Sequence, residues 1–143
     1  MQENLDMYYT MVEECLRGLG IEPTTAKGVN EGEWTIAKGS ALIYINLKYL
    51  EKNQEVYFWV ISPISDLPEE TLLTKFYEEL LETNHTFYGV AFTKFDNKIY
   101  MKAIREVKGI DVEEMFNIIT RIGGYADMYD DVFITKYGTK LTE

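Results

Sequence analysis

The chain is 143 residues long, the size of one modest domain, and 14 Lys and Arg against 24 Asp and Glu leave a formal net charge of −10. Hydrophobic residues at 46% can build a packed core, which excludes a disordered chain as well as collagen-like, low-complexity and disulfide-scaffold classes. The acidic balance argues against nucleic acid as a partner, because neutralising phosphates takes clustered Lys and Arg. A lone Cys15 cannot form an intramolecular disulfide, so the fold is expected not to depend on an oxidising compartment. The start, Met1-Gln2-Glu3-Asn4-Leu5-Asp6, lacks the charge and apolar stretch of a secretory signal. The longest apolar run, residues 56–61, falls far short of the ~20 residues of a membrane helix. Together these features predict a soluble, cytoplasmic single domain over residues 1–143, with neither nucleic acid nor membrane as its target.

The first helix is expected over residues 2–19, where Leu5, Tyr8, Tyr9, Val12, Cys15, Leu16 and Leu19 recur at helical spacing before Gly18, Gly20 and Pro23. Residues 24–32 read as a polar loop. Three strands follow, over residues 34–37, 41–49 and 55–62, with turns at Lys38-Gly39-Ser40 and at residues 51–54; Pro63 is expected to end the third. A second helix is predicted over residues 66–83, capped by Ser65 or Asp66, with Leu72, Leu73, Phe76, Leu80 and Leu81 as its apolar stripe and Asn84 as a left-handed terminal residue. Residues 87–95 and 98–107 form a hairpin around Asp96-Asn97, two residue types that tolerate positive φ. Asp111 is the expected N-cap of a last helix whose buried side carries Val112, Met115, Phe116, Ile119, Ile122, Ala126 and Tyr129. Gly123-Gly124 marks a kink, a close helix–sheet approach or a break in that helix, and the tail from Thr135 is expected to fray. The order α-β-β-β-α-β-β-α, without strict alternation, predicts an α+β fold with a largely antiparallel sheet.

The third strand departs from the usual antiparallel pattern of one buried and one wet face. Val56, Phe58 and Val60 alternate with Tyr57, Trp59 and Ile61, so both faces are apolar, and Leu42, Tyr44 and Tyr100 extend the second set into an aromatic patch. Fully burying such side chains is worth roughly 1.5–3 kcal/mol each, so a cover is expected. That cover is either the terminal helices or a partner, for which Tyr and Trp are typical anchors.

Catalytic chemistry is sparse. His85 is the single histidine, it stands in no catalytic motif, and it is expected to serve in capping or hairpin packing. Cys15 falls on an apolar stripe and is expected to be a buried thiol. Lys38-Gly39-Ser40 has the wrong order for a phosphate-cradling loop, and no cofactor is predicted. Asp127, Asp130 and Asp131 share one helical face and, beside Tyr129, offer oxygen ligands for a hard cation, although three carboxylates on so acidic a chain are more often a solvated face.

Beyond the element order, four stretches resemble the YbjN family: residues 80–92, residues 96–102, residues 110–115 and Ala126-Asp127-Met128-Tyr129, in which Asn84, Gly89, Asp96, Asp111, Asp127 and Tyr129 stand at the matching places. The resemblance implies the fold of type III secretion chaperones over nearly the whole chain. It also implies a non-enzymatic, often dimeric protein, sometimes described as a sensory-transduction regulator. Gly123-Gly124 departs from the family's continuous last helix. The expectation is thus a protein-binding module, chaperone-like or regulatory, that captures a partner segment on Leu42, Tyr44, Tyr57, Trp59, Ile61 and Tyr100 and forms a homodimer. The alternative is a small-ligand or divalent-metal-binding domain built on the carboxylates of the last helix.

Overall fold

The computed structural model describes residues 2–142, and side chains from Leu5 onward. Helix α1 (Gln2–Gly18) and a short α2 (Pro23–Ala26) precede three strands, β1 (Glu33–Lys38), β2 (Ala41–Leu50) and β3 (Glu55–Asp66). A 3₁₀ turn (Glu70–Leu72) leads into α3 (Leu73–Thr86), the hairpin β4 (Ala91–Phe95) and β5 (Lys98–Glu106) follows, and α4 (Val112–Tyr137) closes the domain. The five strands form one antiparallel sheet in the order β1-β2-β3-β5-β4, so β3 is central and β1 and β4 are the edges.

The core lies between this sheet and the helices. Ile43, Ile45 and Leu47 of β2, Val56, Phe58 and Val60 of β3, and Ile99, Met101 and Ala103 of β5 are buried on one face. Against them lie Met115, Ile119, Ile122, Ala126 and Phe133 of α4 and Val12, Cys15 and Leu16 of α1. Asp111 caps α4 as expected, accepting the Glu114 N–H at 2.8 Å. The Asp96-Asn97 turn has φ of 50° and 65°, the doubly positive geometry of a tight hairpin.

The structure corrects several sequence expectations. β3 does not stop at Pro63 but runs to Asp66, because its register with β5 shifts between Pro63 and Ser65 and the missing N–H falls at that irregularity. The second helix therefore starts later, at Leu73. Neither Ser65 nor Asp66 caps it: Ser65 is buried in β3, and Asp66 accepts from Lys98 and Thr142 instead. Leu81, placed on the buried stripe, is 69% exposed. Asn84 is an ordinary helical residue of α3, absent from the positive-φ positions. The strand expected from residue 87 begins only at Ala91, after a segment in which Gly89 takes φ 72°. Residues 24–26 of the expected loop join Pro23, which starts the helix, in α2.

α4 is continuous through Gly123-Gly124, and of the three meanings considered for that pair the close approach is the one realised. A Cβ on Gly123 would stand 2.8 Å from Ile43 Cδ1 and 2.9 Å from Lys38 Cδ. Nor does the tail fray at Thr135. α4 continues to Tyr137, ends in a left-handed Gly138, and buries Phe133 and Tyr137 against Phe76 of α3 at ring separations of 5.2 and 4.9 Å. Beyond it Thr139 is buried, the Asp66 N–H donates to the Lys140 carbonyl at 2.6 Å, and the Thr142 hydroxyl donates to Asp66 at 2.6 Å.

Candidate functional site

Strand alternation sends every second residue of the sheet to the face away from the helices. The register places Tyr44 opposite Ile61, Trp59 between Asn46 and Ile104, and Tyr57 between Lys48 and Glu106. Tyr100 lies between Pro63 and Thr93. All six residues expected in the aromatic patch are brought to this face. Leu42 (45%) and Tyr44 (37%) are exposed, while Tyr57, Trp59, Ile61 and Tyr100 are half-buried by their neighbours in the sheet. None of the six packs against the core, and every ring–ring contact among the described residues lies elsewhere, mostly in the cluster that α4 forms with α3, β4 and the segment between them: Phe76, Phe87, Phe92, Tyr125, Tyr129, Phe133 and Tyr137. The terminal helices cover the opposite side.

One member of the face escaped the sequence expectation. Ile104 is 54% exposed directly beside Trp59. Its signal was available, since it shares the period-two phase of Tyr100, but its partner strand could be known only from the sheet order. Leu42, Tyr44, Ile61, Trp59 and Ile104 thus form a diagonal band over β2, β3 and β5.

Each edge of the sheet is occupied at one point. At β4 the Asn84 side chain accepts the Phe92 N–H at 2.7 Å and donates to the Phe92 carbonyl at 3.2 Å, imitating a neighbouring strand. At β1 the Gly28 N–H donates to the Glu33 carbonyl at 2.7 Å and Lys27 bridges Trp34. Both contacts satisfy backbone groups that an edge would otherwise offer to another chain.

The other candidate residues separate. Asp127 and Asp130 converge on the β1–β2 turn, where Asp127 Oδ1 accepts the Ser40 N–H at 2.9 Å. The Ser40 hydroxyl lies 2.9 Å from Asp127 Oδ1 and 2.6 Å from Asp130 Oδ2. The Ser40 backbone N–H, then its hydroxyl, hold the Asp127 carboxyl below its ordinary range, with Lys38 adding to the effect. Asp131 is exposed, and Tyr129 joins the aromatic cluster at 5.1 Å from Phe92. Among the described residues no group of three or more His, Cys, Asp or Glu side chains is placed to hold a metal ion. Cys15 is buried, donates to the Val112 carbonyl at 3.4 Å, and has its thiol pushed up to about 11 by burial and by Glu14. His85 sits exposed in the last turn of α3. No described helix is long and apolar enough to cross a membrane.

Several solved structures are similar to this chain over most of its length. A chain of the HopA1–SchA chaperone–effector complex matches with a TM-score of 0.68 at 10% identity, covering 92% of this chain and 98% of that one. The Yersinia pestis type III secretion chaperone SycH, solved with a fragment of YscM2, matches with a TM-score of 0.60 at 14% identity, covering 85% and 98%. The fold is that of the type III secretion chaperones. E. coli YbjN also matches, with a TM-score of 0.53 at 10% identity over 93% of this chain and 95% of that one. The fold expected from the YbjN resemblance is therefore present. No family model and no curated protein matches the sequence.

Proposed function

We propose that this chain is a cytoplasmic, non-enzymatic protein-binding module, chaperone-like or regulatory, that captures an apolar segment of a partner on Leu42, Tyr44, Tyr57, Trp59, Ile61 and Tyr100. The observation that carries this reading is the bare apolar sheet face opposite the helices. A lone domain gains nothing from keeping Leu42 and Tyr44 in water, whereas a partner that covers them recovers the transfer free energy. Solved chaperone–effector complexes with this fold support a protein partner. The net charge of −10 repels acidic partners and favours basic ones. The reading extends to a homodimer that shares part of the same surface.

Trp59→Ser tests it, with solution mass, thermal stability and partner recovery from native lysate measured together. A variant that keeps its melting temperature but loses partner or dimer supports the proposal. Unchanged mass and partners with lost thermal stability would make Trp59 a core residue and end the idea.

A further inference from the structure

We infer that the cleft between the last residues of β5 and the first half of α4 binds a free tripeptide, laid as a short extra strand antiparallel to β5. The cleft holds about 530 Å³, within the ~300–1,000 Å³ of small-ligand sites. It lies at a strand edge and uses none of Leu42, Tyr44 or Tyr57, so it stands apart from the binding surface proposed above.

An antiparallel strand turns the N–H and carbonyl of alternate residues toward each neighbour. The Val107 N–H donates to the Val56 carbonyl of β3 at 3.0 Å. Arg105 and Ala103 share that phase and face β3, so the backbone groups of Ile104 and Glu106 face the other way. Asn84 fixes the same phase from the far side. It engages the outer N–H and carbonyl of Phe92, which makes Ala91, opposite Lys102, the first residue of β4 turned toward β5. Before Ala91 the chain bends away through Gly89, at φ 72°, and no strand among the described residues pairs with Ile104 on that side. The Glu106 carbonyl accepts from the Arg105 guanidinium at 2.7 Å. Ile104 is thus left with a donor and an acceptor aimed along the sheet into the cleft, the pair that an added strand uses.

Length and charge select the occupant. Glu113, Asn117 and Arg121 follow one another at four-residue steps along the stripe of α4 that lines the cleft. The acid and the guanidinium are therefore about 12 Å apart along the helix axis. An extended tripeptide holds its charged termini about 10 Å apart. The Arg105–Glu114 ion pair at 2.8 Å marks the acidic end beside the close of β5, and Arg121, donating to the Tyr88 carbonyl at a long 3.4 Å, marks the other end beside Gly89. The ion pairs among the described residues use neither Glu113 nor Arg121. Antiparallel addition, the sense β4 already has, sets the peptide's amine at Glu113 and its carboxylate at Arg121; a parallel strand would set each terminus against its own charge. The middle residue then pairs with Ile104. The last residue stands opposite Ala103 and sends its side chain to the helix side, where Ala103 and Ile118 border the cleft, so an apolar C-terminal residue fits. A longer chain would run into the Gly89 segment at one end and the turn into α4 at the other.

The test titrates the full chain calorimetrically with the tripeptide Ala-Ala-Leu, its N-acetyl form, its C-terminal amide, a form with both caps, and a form N-methylated at the middle residue. The free peptide should bind, and each single cap should weaken it about tenfold by removing one charge-assisted contact. N-methylation removes the donor to the Ile104 carbonyl and should abolish binding. Hydrogen exchange at the Ile104 amide should slow when the free peptide is present. Arg121→Gln, at an exposed position, should erase the difference between acid and amide, and Glu113→Gln the difference between amine and acetyl form. Tyr44→Ser should leave all of this intact, so this inference and the open-face reading can fail separately. Equal binding of the free and doubly capped peptides would make the occupant an internal segment of a longer chain and overturn the proposal. A difference between acid and amide that survives Arg121→Gln would overturn the assigned orientation. Failure of the free peptide to bind at millimolar concentration, with Ile104 exchange unchanged, would overturn the site itself.

Discussion

Two glycines of opposite role, Gly124 and Gly39, show how locally stability is decided. Gly124 lies in the interior of α4, exposed, with open space where a Cβ would go. Gly124→Ala should therefore recover the helix-propensity difference of about 0.8–1 kcal/mol and raise the melting temperature by about 3 °C. Gly39, by contrast, has φ 58° at the β1–β2 turn, and a Cβ there would collide with the Asp127 carboxylate. Gly39→Ala should lower the melting temperature, and the two variants measured side by side by calorimetry should move in opposite directions.

Among the elements, the edge strand β4 and the C-terminal strap, residues 136–142, depend on one or two side chains each. Asn84→Ala would leave the Phe92 N–H and carbonyl without their partner, at a cost of about 1–3 kcal/mol if they stay dry. The expected result is a lower urea midpoint together with faster hydrogen exchange at the Phe92 amide, while β2 and β3 amides stay protected. The strap is held through carboxylates. Burial alone would raise the Asp66 carboxyl, but hydrogen bonds from Lys98 and Thr142 and the Lys98 charge hold it below its ordinary 3.8. Burial likewise opposes Glu79, which the Tyr137 hydroxyl and Lys136 hold below its ordinary 4.5. The same burial and the Glu79 contact push the Tyr137 hydroxyl up to about 12. A carboxyl depressed in the fold contributes stability above its unfolded value and loses it as pH falls through the folded one. The urea midpoint should therefore drop from about pH 5 toward pH 3, and the Asp66→Asn, Glu79→Gln double variant should start lower at neutral pH and lose less across that window.

At the level of the whole molecule the two faces of the sheet should answer differently to the same insult. Phe58 is fully buried beneath α4, so Phe58→Ala should cost about 3–5 kcal/mol. Ile104→Asp and Tyr44→Ser, on exposed positions of the open face, should change stability by no more than about 1 kcal/mol. Chemical denaturation of the three variants checks this directly, and an open-face variant as costly as Phe58→Ala would mean that the helices reach that face.

Local chemistry made much of this fold legible in the chain. Helical and strand periods marked α1, β2, β3, β5 and α4 because each buries one continuous set of side chains; Asp111 and Asp96-Asn97 signalled a cap and a turn because their backbone requirements are met within three or four residues. The two-sided pattern of Tyr57, Trp59 and Ile61 was equally visible. Which face the helices would take was not, since that depends on where α4 crosses the sheet, and Gly123 against Ile43 sets that crossing. The extension of β3 past Pro63, the Asn84 cap on β4 and the burial of Phe133, Tyr137 and Thr139 were hidden for the same reason. The strand and the burial depend on residues far away in sequence, Tyr100 for Pro63 and Phe76 for Phe133, and the Asn84 cap on where the chain turns back between α3 and β4, so such meetings exist only once the chain has closed on itself.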